Sequence, residues 1–238
     1  VYTNAGKSEQ PLLKTLTGEI DRMANTPILD QINCPEDLKK LRQDQLAELC
    51  SEIREFLIEN VSKTGGHLSA NLGAVEISVG LHRVFSSPGD HLMFDVGHQC
   101  YTHKLLTGRR DRFSTLRQLD GLSGFLRPDE SEHDCFISGH ASNSISAALG
   151  MARASRLRGE TCSTVCVIGD GALTGGMAYE ALNDAGQSHE PLIIVFNDNE
   201  MSIGKNVGAL AQRLSAMRIL SSSGGSSIFC AAFATATG

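Results

Sequence analysis

The sequence contains no apolar run that approaches the roughly 18 residues needed to cross a membrane. Its start also lacks the basic residues and apolar segment that mark a secretory signal peptide. Acidic residues Glu9, Glu19 and Asp21 argue against an organelle transit peptide. These absences predict a protein with no membrane partner and a cytoplasmic location, with a plastid as the alternative in a eukaryote.

An excess of positive charge is missing as well. The chain has 21 Lys and Arg against 27 Asp and Glu, which gives a formal net charge of -6. Nucleic-acid-binding proteins usually show a clear basic excess, so we predict no nucleic-acid partner. Small anionic ligands remain compatible with this charge, because one pocket can be basic on an acidic protein.

Cysteines are present but show no metal-binding or disulfide spacing. Their number, seven, is odd, and the nearest pair, Cys162 and Cys166, is not a CxxC motif. We predict reduced thiols of an intracellular protein. The histidines likewise lack the short ligand spacing of a zinc site.

Apolar strand-like segments do alternate with helix-like segments. The predicted strands are 91–95, 135–137, 164–168 and 192–196, and the predicted helices are 44–61, 73–85, 142–157 and 174–186. This alternation predicts an α/β fold with a parallel β-sheet flanked by helices on both faces. Because no GxGxxG segment follows an early strand, a dinucleotide-binding oxidoreductase is excluded.

A polar cluster follows each predicted strand, where ligands bind in parallel sheets. Gly169-Asp170-Gly171 follows strand 164–168, and Asn199 stands twenty-nine residues after Asp170, just beyond strand 192–196. A carboxylate and an amide oxygen at neighbouring strand ends can share one Mg²⁺, which takes further oxygens from a diphosphate. Gly171 allows the backbone to approach phosphate closely, and the next helix offers N-terminal amides.

The sequence around these clusters resembles the 1-deoxy-D-xylulose-5-phosphate synthase family of thiamine-diphosphate-dependent, transketolase-like enzymes. The resemblance runs from about residue 27 to about residue 217. Its matching stretches, all in the family's order, are 65–73, 95–99, 103–109, 121–125, 139–140, 169–186 and 197–208.

The resemblance implies a set of site residues. Mg²⁺ would be bound by Asp170, the Asn199 side chain and the Met201 backbone carbonyl. Thiamine diphosphate would contact His98, Gly139, His140, Ala141, Gly171, Ala172 and Asn199. His67 and His98 would be the catalytic residues that face the reacting carbon. This chain departs from the family at Ala141 and Asn143, where serine and threonine are more usual.

The resemblance also implies a reaction. The family condenses pyruvate with D-glyceraldehyde 3-phosphate, releases CO₂ and supplies precursors of isoprenoids, thiamine and pyridoxal.

The resemblance implies a domain organisation as well. The family's full-length members are homodimers of three-domain chains, in which a glutamate of the second domain activates the cofactor. Because no segment after Met217 resembles that domain, we expect little turnover by this chain alone. Two alternatives are a half-subunit of a split transketolase-like enzyme and a catalytically inactive fragment that acts as an interaction module.

Three segments are predicted. They are an unassigned extension at 1–26, a thiamine-diphosphate- and Mg²⁺-binding domain at 27–220, and a Ser/Gly linker with an unassigned tail at 221–238.

Other charged residues are interpreted as structural or solvated. Lys104, Arg109, Arg110 and Arg112 are predicted to form a solvated helix face, with attraction of a phosphorylated substrate as the alternative. Asp129, Glu130 and Glu132 are predicted to form a mobile acidic loop. Among the remaining histidines, His82 is predicted to be structural and His91, His133 and His189 to lie at the surface. His103 is left without an assignment.

Overall fold

A four-stranded sheet forms the centre of the fold. The computed structural model describes residues 28–137, 139–198 and 229–234. Its strands are β1 (His91–Phe94), β2 (Thr164–Gly169), β3 (Leu192–Asp198) and β4 (Phe229–Ala234), in that spatial order. β1, β2 and β3 are parallel, whereas β4 pairs antiparallel with β3. The predicted parallel sheet is confirmed, and part of the tail after 221 joins it as an edge strand.

The helices connect these strands as the sequence pattern predicts, with small shifts in their ends. They are α1 (Pro35–Lys40), α2 (Gln45–Thr64), α3 (Leu68–Leu72), α4 (Val75–Val84), α5 (Tyr101–Lys104), α6 (Ser144–Arg158), α7 (Asp170–Leu173) and α8 (Gly176–Ser188). Short helical turns cover Leu29–Gln31, Leu105–Arg109 and Arg110–Thr115. In the part of the chain that the structure describes, none of the helices has the length and apolar character to cross a membrane.

Helix ends follow from local sequence. α1 begins at Pro35, whose fixed φ suits a first helical position. α2 ends where Gly65 adopts a φ of 78°, a conformation that glycine reaches without strain. The segment predicted as one helix at 73–85 begins at Val75, and the helix predicted from 174 begins at Gly176, after the separate turn α7.

Each face of the sheet is covered by its own hydrophobic core. Leu92, Val165 and Val195 point to a core shared with α2 and α4. The alternate residues Met93 and Ile194 point to a core shared with α6 and α8. Burial on both faces explains why these strands are continuous apolar runs rather than alternating ones. Helices on both faces of the sheet are therefore confirmed.

One predicted strand is wrong. Residues 135–137 have no regular secondary structure, although they lie beside β1, where the Cys135 thiol donates to the Leu92 carbonyl at 3.3 Å. Phe136 packs against the core formed with α6 and α8. The apolar triplet is thus explained by side-chain packing without strand pairing.

The solvated helix face predicted for the basic residues is also wrong for two of them. Lys104 and Arg109 are buried, and both form ion pairs with Glu130. Asp134, which is fully buried, accepts two hydrogen bonds from the Arg109 guanidinium at 2.8 and 2.9 Å. Glu130 therefore belongs to an ordered structure rather than to a mobile loop. Together with His103, these residues form what we call the buried charge cluster.

A chain of imidazoles extends this cluster. His103 Nε2 lies 3.0 Å from Asp134 Oδ1, and His103 Nδ1 lies 2.9 Å from His82 Nε2. Both histidines are fully buried, which confirms the structural role predicted for His82. Of the three histidines predicted at the surface, His189 is exposed, whereas His91 and His133 are half-buried.

Burial sets the protonation of these groups. Desolvation lowers the pKa of His103 to about 4, even though the hydrogen bond to Asp134 opposes the shift. Desolvation likewise holds the pKa of His82 well below its ordinary value. For Asp134, burial alone would raise the pKa, but hydrogen bonds from His103 and Arg109 outweigh it and lower the pKa.

These shifts predict that acid destabilises the folded chain well above the pH at which ordinary carboxylates titrate. As the pH falls below 6.5 the unfolded chain protonates His82 and His103, whereas burial keeps both neutral in the folded chain, His103 until the pH approaches about 4. The contribution of these histidines to the free energy of unfolding is therefore fully present above pH 6.5. Below that pH the free energy of unfolding falls by about 1.4 kcal/mol per pH unit for each histidine. Urea unfolding at pH 7.5, 6, 5 and 4 measures this slope. The exposed-site variant His189→Gln should keep it, and a flat profile would contradict the prediction.

Candidate functional site

Three loops meet at the carboxyl edge of the parallel sheet. The Asp95 side chain, which directly follows β1, accepts hydrogen bonds from the Ser142 and Ser144 amides at 2.9 and 3.1 Å. The Ser142 hydroxyl then donates to the Ala172 carbonyl beyond β2 at 2.6 Å. These contacts fix the loop after β1, the 139–143 turn and the loop after β2 to one another. The predicted convergence of polar segments is therefore present for these three.

The Asp95 carboxylate also supports the start of α6. Ser144 is the first residue of that helix, and its amide is one of the donors that lack a partner within a helix. A negative charge there is favoured by the helix dipole. Ser142 needs this support, because its φ of 73° lies in the left-handed region, which a non-glycine residue adopts at a cost.

His67 and His98, the two residues predicted to be catalytic, lie close together. Their ring centroids lie 5.1 Å apart at an angle of 67°, and the Phe125 ring lies 6.3 Å from that of His67. Burial lowers the pKa of His98, and the neighbouring His67 lowers it further, against the opposing charge of Asp95. The His98 imidazole is therefore neutral near pH 7.

Two buried polar groups at this edge have no hydrogen-bond partner among the described residues. One is His98 Nδ1, and the other is the Asn197 side-chain amide, for which both the oxygen and the nitrogen are unpaired. Asn197 is only 1% exposed. Unpaired buried polar atoms are costly and rare in folded proteins, so they mark positions where a ligand could supply the missing partner.

The Gly169-Asp170-Gly171 segment forms a tight turn after β2. Asp170 is the first residue of α7, and Thr174 closes the turn by donating its hydroxyl to the Gly171 carbonyl at 2.7 Å. Asp170, Gly171 and Ala172 are all partly accessible to solvent. The turn therefore presents one carboxylate and the backbone of two predicted cofactor-binding residues.

The 139–141 turn, predicted to contact the cofactor, is open to solvent. Gly139, His140 and Ala141 are exposed. His140 Nδ1 lies 2.7 Å from the Ala141 carbonyl, so the ring folds back on its own turn. This histidine thus lies at the solvent-exposed edge of the site.

Two predicted metal ligands, Asn199 and Met201, lie outside the described residues. The register of β2 and β3 bears on them indirectly, because Gly169 pairs with Asn197. Asp170 follows Gly169 directly, and Asn199 comes two residues after Asn197.

Three residues that the sequence did not single out connect the predicted ones. They are Asp95 and Ser142, described above, and Asn71, whose side chain bonds to the backbone of both His67 and His98. The position of Asp95 at the end of a predicted strand was a sequence indication that it belongs to the site. No such indication marks Asn71 or Ser142, because their side chains bond to backbone groups.

The fold is similar to that of a solved enzyme structure. Part of the chain superimposes on a mutant transketolase from Pichia stipitis with a TM-score of 0.58 and 21% identity, covering 66% of this chain and 27% of that one. The described part of the chain therefore shares the fold of that portion of the transketolase.

Sequence similarity is much closer within one family. The family described as 1-deoxy-D-xylulose-5-phosphate synthase matches residues 29–226. The synthase of Thermomicrobium roseum is 62% identical over 191 residues, and synthase 1 of Geobacter sulfurreducens is 60% identical over 188 residues. These alignments cover 80% and 79% of this chain but 30% of each relative. The chain belongs to the 1-deoxy-D-xylulose-5-phosphate synthase family and spans about a third of the length of these relatives.

Proposed function

We propose that this chain is the thiamine-diphosphate- and Mg²⁺-binding portion of a 1-deoxy-D-xylulose-5-phosphate synthase. The reaction is the condensation of pyruvate with D-glyceraldehyde 3-phosphate with loss of CO₂, which supplies precursors of isoprenoids, thiamine and pyridoxal. The observation that carries the proposal is the pairing of His67 with His98, 5.1 Å apart between ring centroids. This pair lies in a member of the family at the sheet edge where ligands bind.

The residues present fit the proposed cofactor. His98 Nδ1 is buried without a partner among the described residues, so a bound ring nitrogen or amine could complete its hydrogen bonding. The Gly171 and Ala172 backbone lies in a partly accessible turn that a diphosphate could reach. His98, Gly139, His140, Ala141, Gly171, Ala172 and Asn199 would hold the cofactor. When bound, thiamine diphosphate supplies a nucleophilic carbon that adds to a ketone and stabilises the carbanion left by decarboxylation.

The two histidines supply proton chemistry to this site. The low pKa of His98, caused by burial and by His67, leaves a neutral ring that can accept a proton near pH 7. His67 is exposed, so it can meet a substrate oxygen that enters from solvent. We assign both histidines to holding substrate oxygens and moving protons at the reacting carbon.

Magnesium would be held by Asp170, the Asn199 side chain and the Met201 carbonyl. Oxygen ligands of this kind suit Mg²⁺, which also takes oxygens from a bound diphosphate. The pairing of Gly169 with Asn197 supports the assignment, since it aligns the ends of β2 and β3.

The remaining proposals concern the whole protein and its segments. We propose that the protein is a cytoplasmic homodimer. We also propose that the chain is divided into an extension at 1–26, a cofactor domain at 27–220 and a tail at 221–238.

Binding and turnover should separate in the purified 238-residue chain. We expect calorimetry to detect weak thiamine diphosphate binding with Mg²⁺ and none with EDTA, because the metal joins protein and diphosphate. We expect little or no product from pyruvate and D-glyceraldehyde 3-phosphate, because the chain spans only 30% of its relatives. Binding unaffected by EDTA would contradict the metal assignment, and robust turnover would contradict the second expectation.

The reaction itself can be tested in a longer protein. Residues 28–217 of this chain would replace their counterpart in the Thermomicrobium roseum synthase, and CO₂ release dependent on both substrates would be measured. We expect the graft to be active and to lose most of its activity on His98→Ala. An inactive but correctly folded graft that still binds the cofactor would reject the proposed function.

A further inference from the structure

One buried amide joins the two histidines of the site. Asn71 lies in the short helix α3 and is 1% exposed. Its Nδ2 donates to the His67 carbonyl at 2.7 Å and to the His98 carbonyl at 2.8 Å. Its Oδ1 accepts from the Tyr101 amide at 2.9 Å. Both amide hydrogens and the amide oxygen are therefore used within the protein.

The hydrogen bond from Asn71 to His98 spans a long stretch of the chain, whereas the one to His67 is local. His67 is four residues before Asn71, so that contact is local to the start of α3. His98 and Tyr101 are 27 and 30 residues away, in the loop between β1 and α5. The side chain thus connects the segment that carries His67 to the loop that carries His98.

A second, weaker contact also connects these two segments. The His67 amide donates to the Tyr101 hydroxyl at 3.4 Å, which is long for such a bond. Tyr101 is itself buried, and its own backbone amide is held by Asn71. The connection between the two loops therefore depends mainly on the Asn71 amide.

We propose that Asn71 is a positioning residue that sets the separation and mutual orientation of the His67 and His98 rings. The inference rests on the proposed function for its catalytic meaning, since only there do the two rings act on one substrate. Geometrically it depends on the three hydrogen bonds alone. Displacements of about 1 Å in such groups can cost on the order of 100-fold in rate, so a fixed separation matters.

Two substitutions distinguish this role from ordinary helix support. Asn71→Ala removes all three bonds without adding charge. Asn71→Ser keeps a hydroxyl that can bond to the His67 carbonyl four residues earlier, but it is too short to reach His98. If α3 needed only its local bond, the serine variant would behave like the parent chain. If the connection between the loops matters, both variants should separate the rings.

The test is nuclear magnetic resonance of the full chain without cofactor. In the parent chain we expect contacts between the ring protons of His67 and His98, and a His98 titration below that of an ordinary histidine. In Asn71→Ala and Asn71→Ser we expect the contacts to be lost and the pKa of His98 to rise, because water reaches the ring and His67 moves away. Asn60→Ala is the matched control, since among the described residues its side-chain amide donates to Phe56 alone, within α2.

The outcomes separate this inference from the proposed function. Ring contacts and a His98 titration that persist in both Asn71 variants would overturn the inference, as would equal changes in Asn60→Ala. Calorimetry on the same samples with thiamine diphosphate and Mg²⁺ reports on the function. A parent chain that does not bind the cofactor counts against the function, whereas the ring contacts still decide the role of Asn71.

Discussion

Asp134→Ala should destabilise the folded chain by about 3–5 kcal/mol, the range measured when one partner of a buried ion pair is removed. Asp134 is fully buried and takes hydrogen bonds from Arg109, His103 and the Arg127 amide. Without it, Glu130 alone would face the buried cations Lys104 and Arg109. The loss is large because an uncompensated buried charge replaces a neutral cluster.

Urea unfolding at pH 7.5 measures this effect directly. Asp129→Ala is the matched control, because Asp129 lies in the same loop but pairs with Arg127 where both side chains are substantially exposed. Exposed ion pairs contribute about 0–1 kcal/mol, so the control should remain close to the parent chain. Equal stability losses in the two variants would show that the buried charge cluster has no special importance.

The sequence was sufficient for the three parallel strands but not for this cluster. Strands β1, β2 and β3 are buried on both faces, so each reads as a continuous apolar run bounded by polar residues. From the sequence alone, Lys104 and Arg109 are expected to be exposed to solvent. Their partners Glu130 and Asp134 lie more than 20 residues later in the chain, so no local pattern indicates the ion pairs. Long-range pairing of charges leaves no periodic pattern.

The segment 135–137 shows the converse error. Three apolar residues between loops satisfy a strand pattern, but a run this short is equally typical of a packed loop. Phe136 contacts the core formed with α6 and α8, whereas Cys135 bonds to the Leu92 carbonyl through its side chain. A backbone without strand pairing can thus carry the same apolar signature.

For the site, the sequence predicted groups that would touch a ligand, but it did not point to the side chains that hold those groups in place. His67, His98 and Asp170 were predicted from motif and strand position, and the structure places the two histidines together. The Asn71 and Ser142 side chains bond to backbone groups, which are present at every residue and carry no sequence signature. Positions of this kind are visible only once the chain is folded.

Asp170→Ala should weaken Mg²⁺-dependent thiamine diphosphate binding by roughly 100-fold or more, since losing even an outer-shell partner of a metal costs 10–100-fold. Asp170 contributes the only side-chain carboxylate in the proposed Mg²⁺ set. It follows β2 directly, in a turn that is partly accessible to solvent. Removing it leaves the amide of Asn199 and the carbonyl of Met201, which carry no charge to offset that of Mg²⁺ and the diphosphate.

Titration calorimetry at saturating Mg²⁺ tests this, with Asp184→Ala as the matched control. Asp184 lies on α8, the helix that follows the Asp170 turn, and pairs with Arg153 where both side chains are exposed. It should therefore leave cofactor affinity unchanged. Thermal unfolding of both variants without cofactor shows whether Asp170→Ala keeps its fold. Unchanged affinity in folded Asp170→Ala would remove this carboxylate from the metal site, and with it the reason for placing a diphosphate at the end of β2.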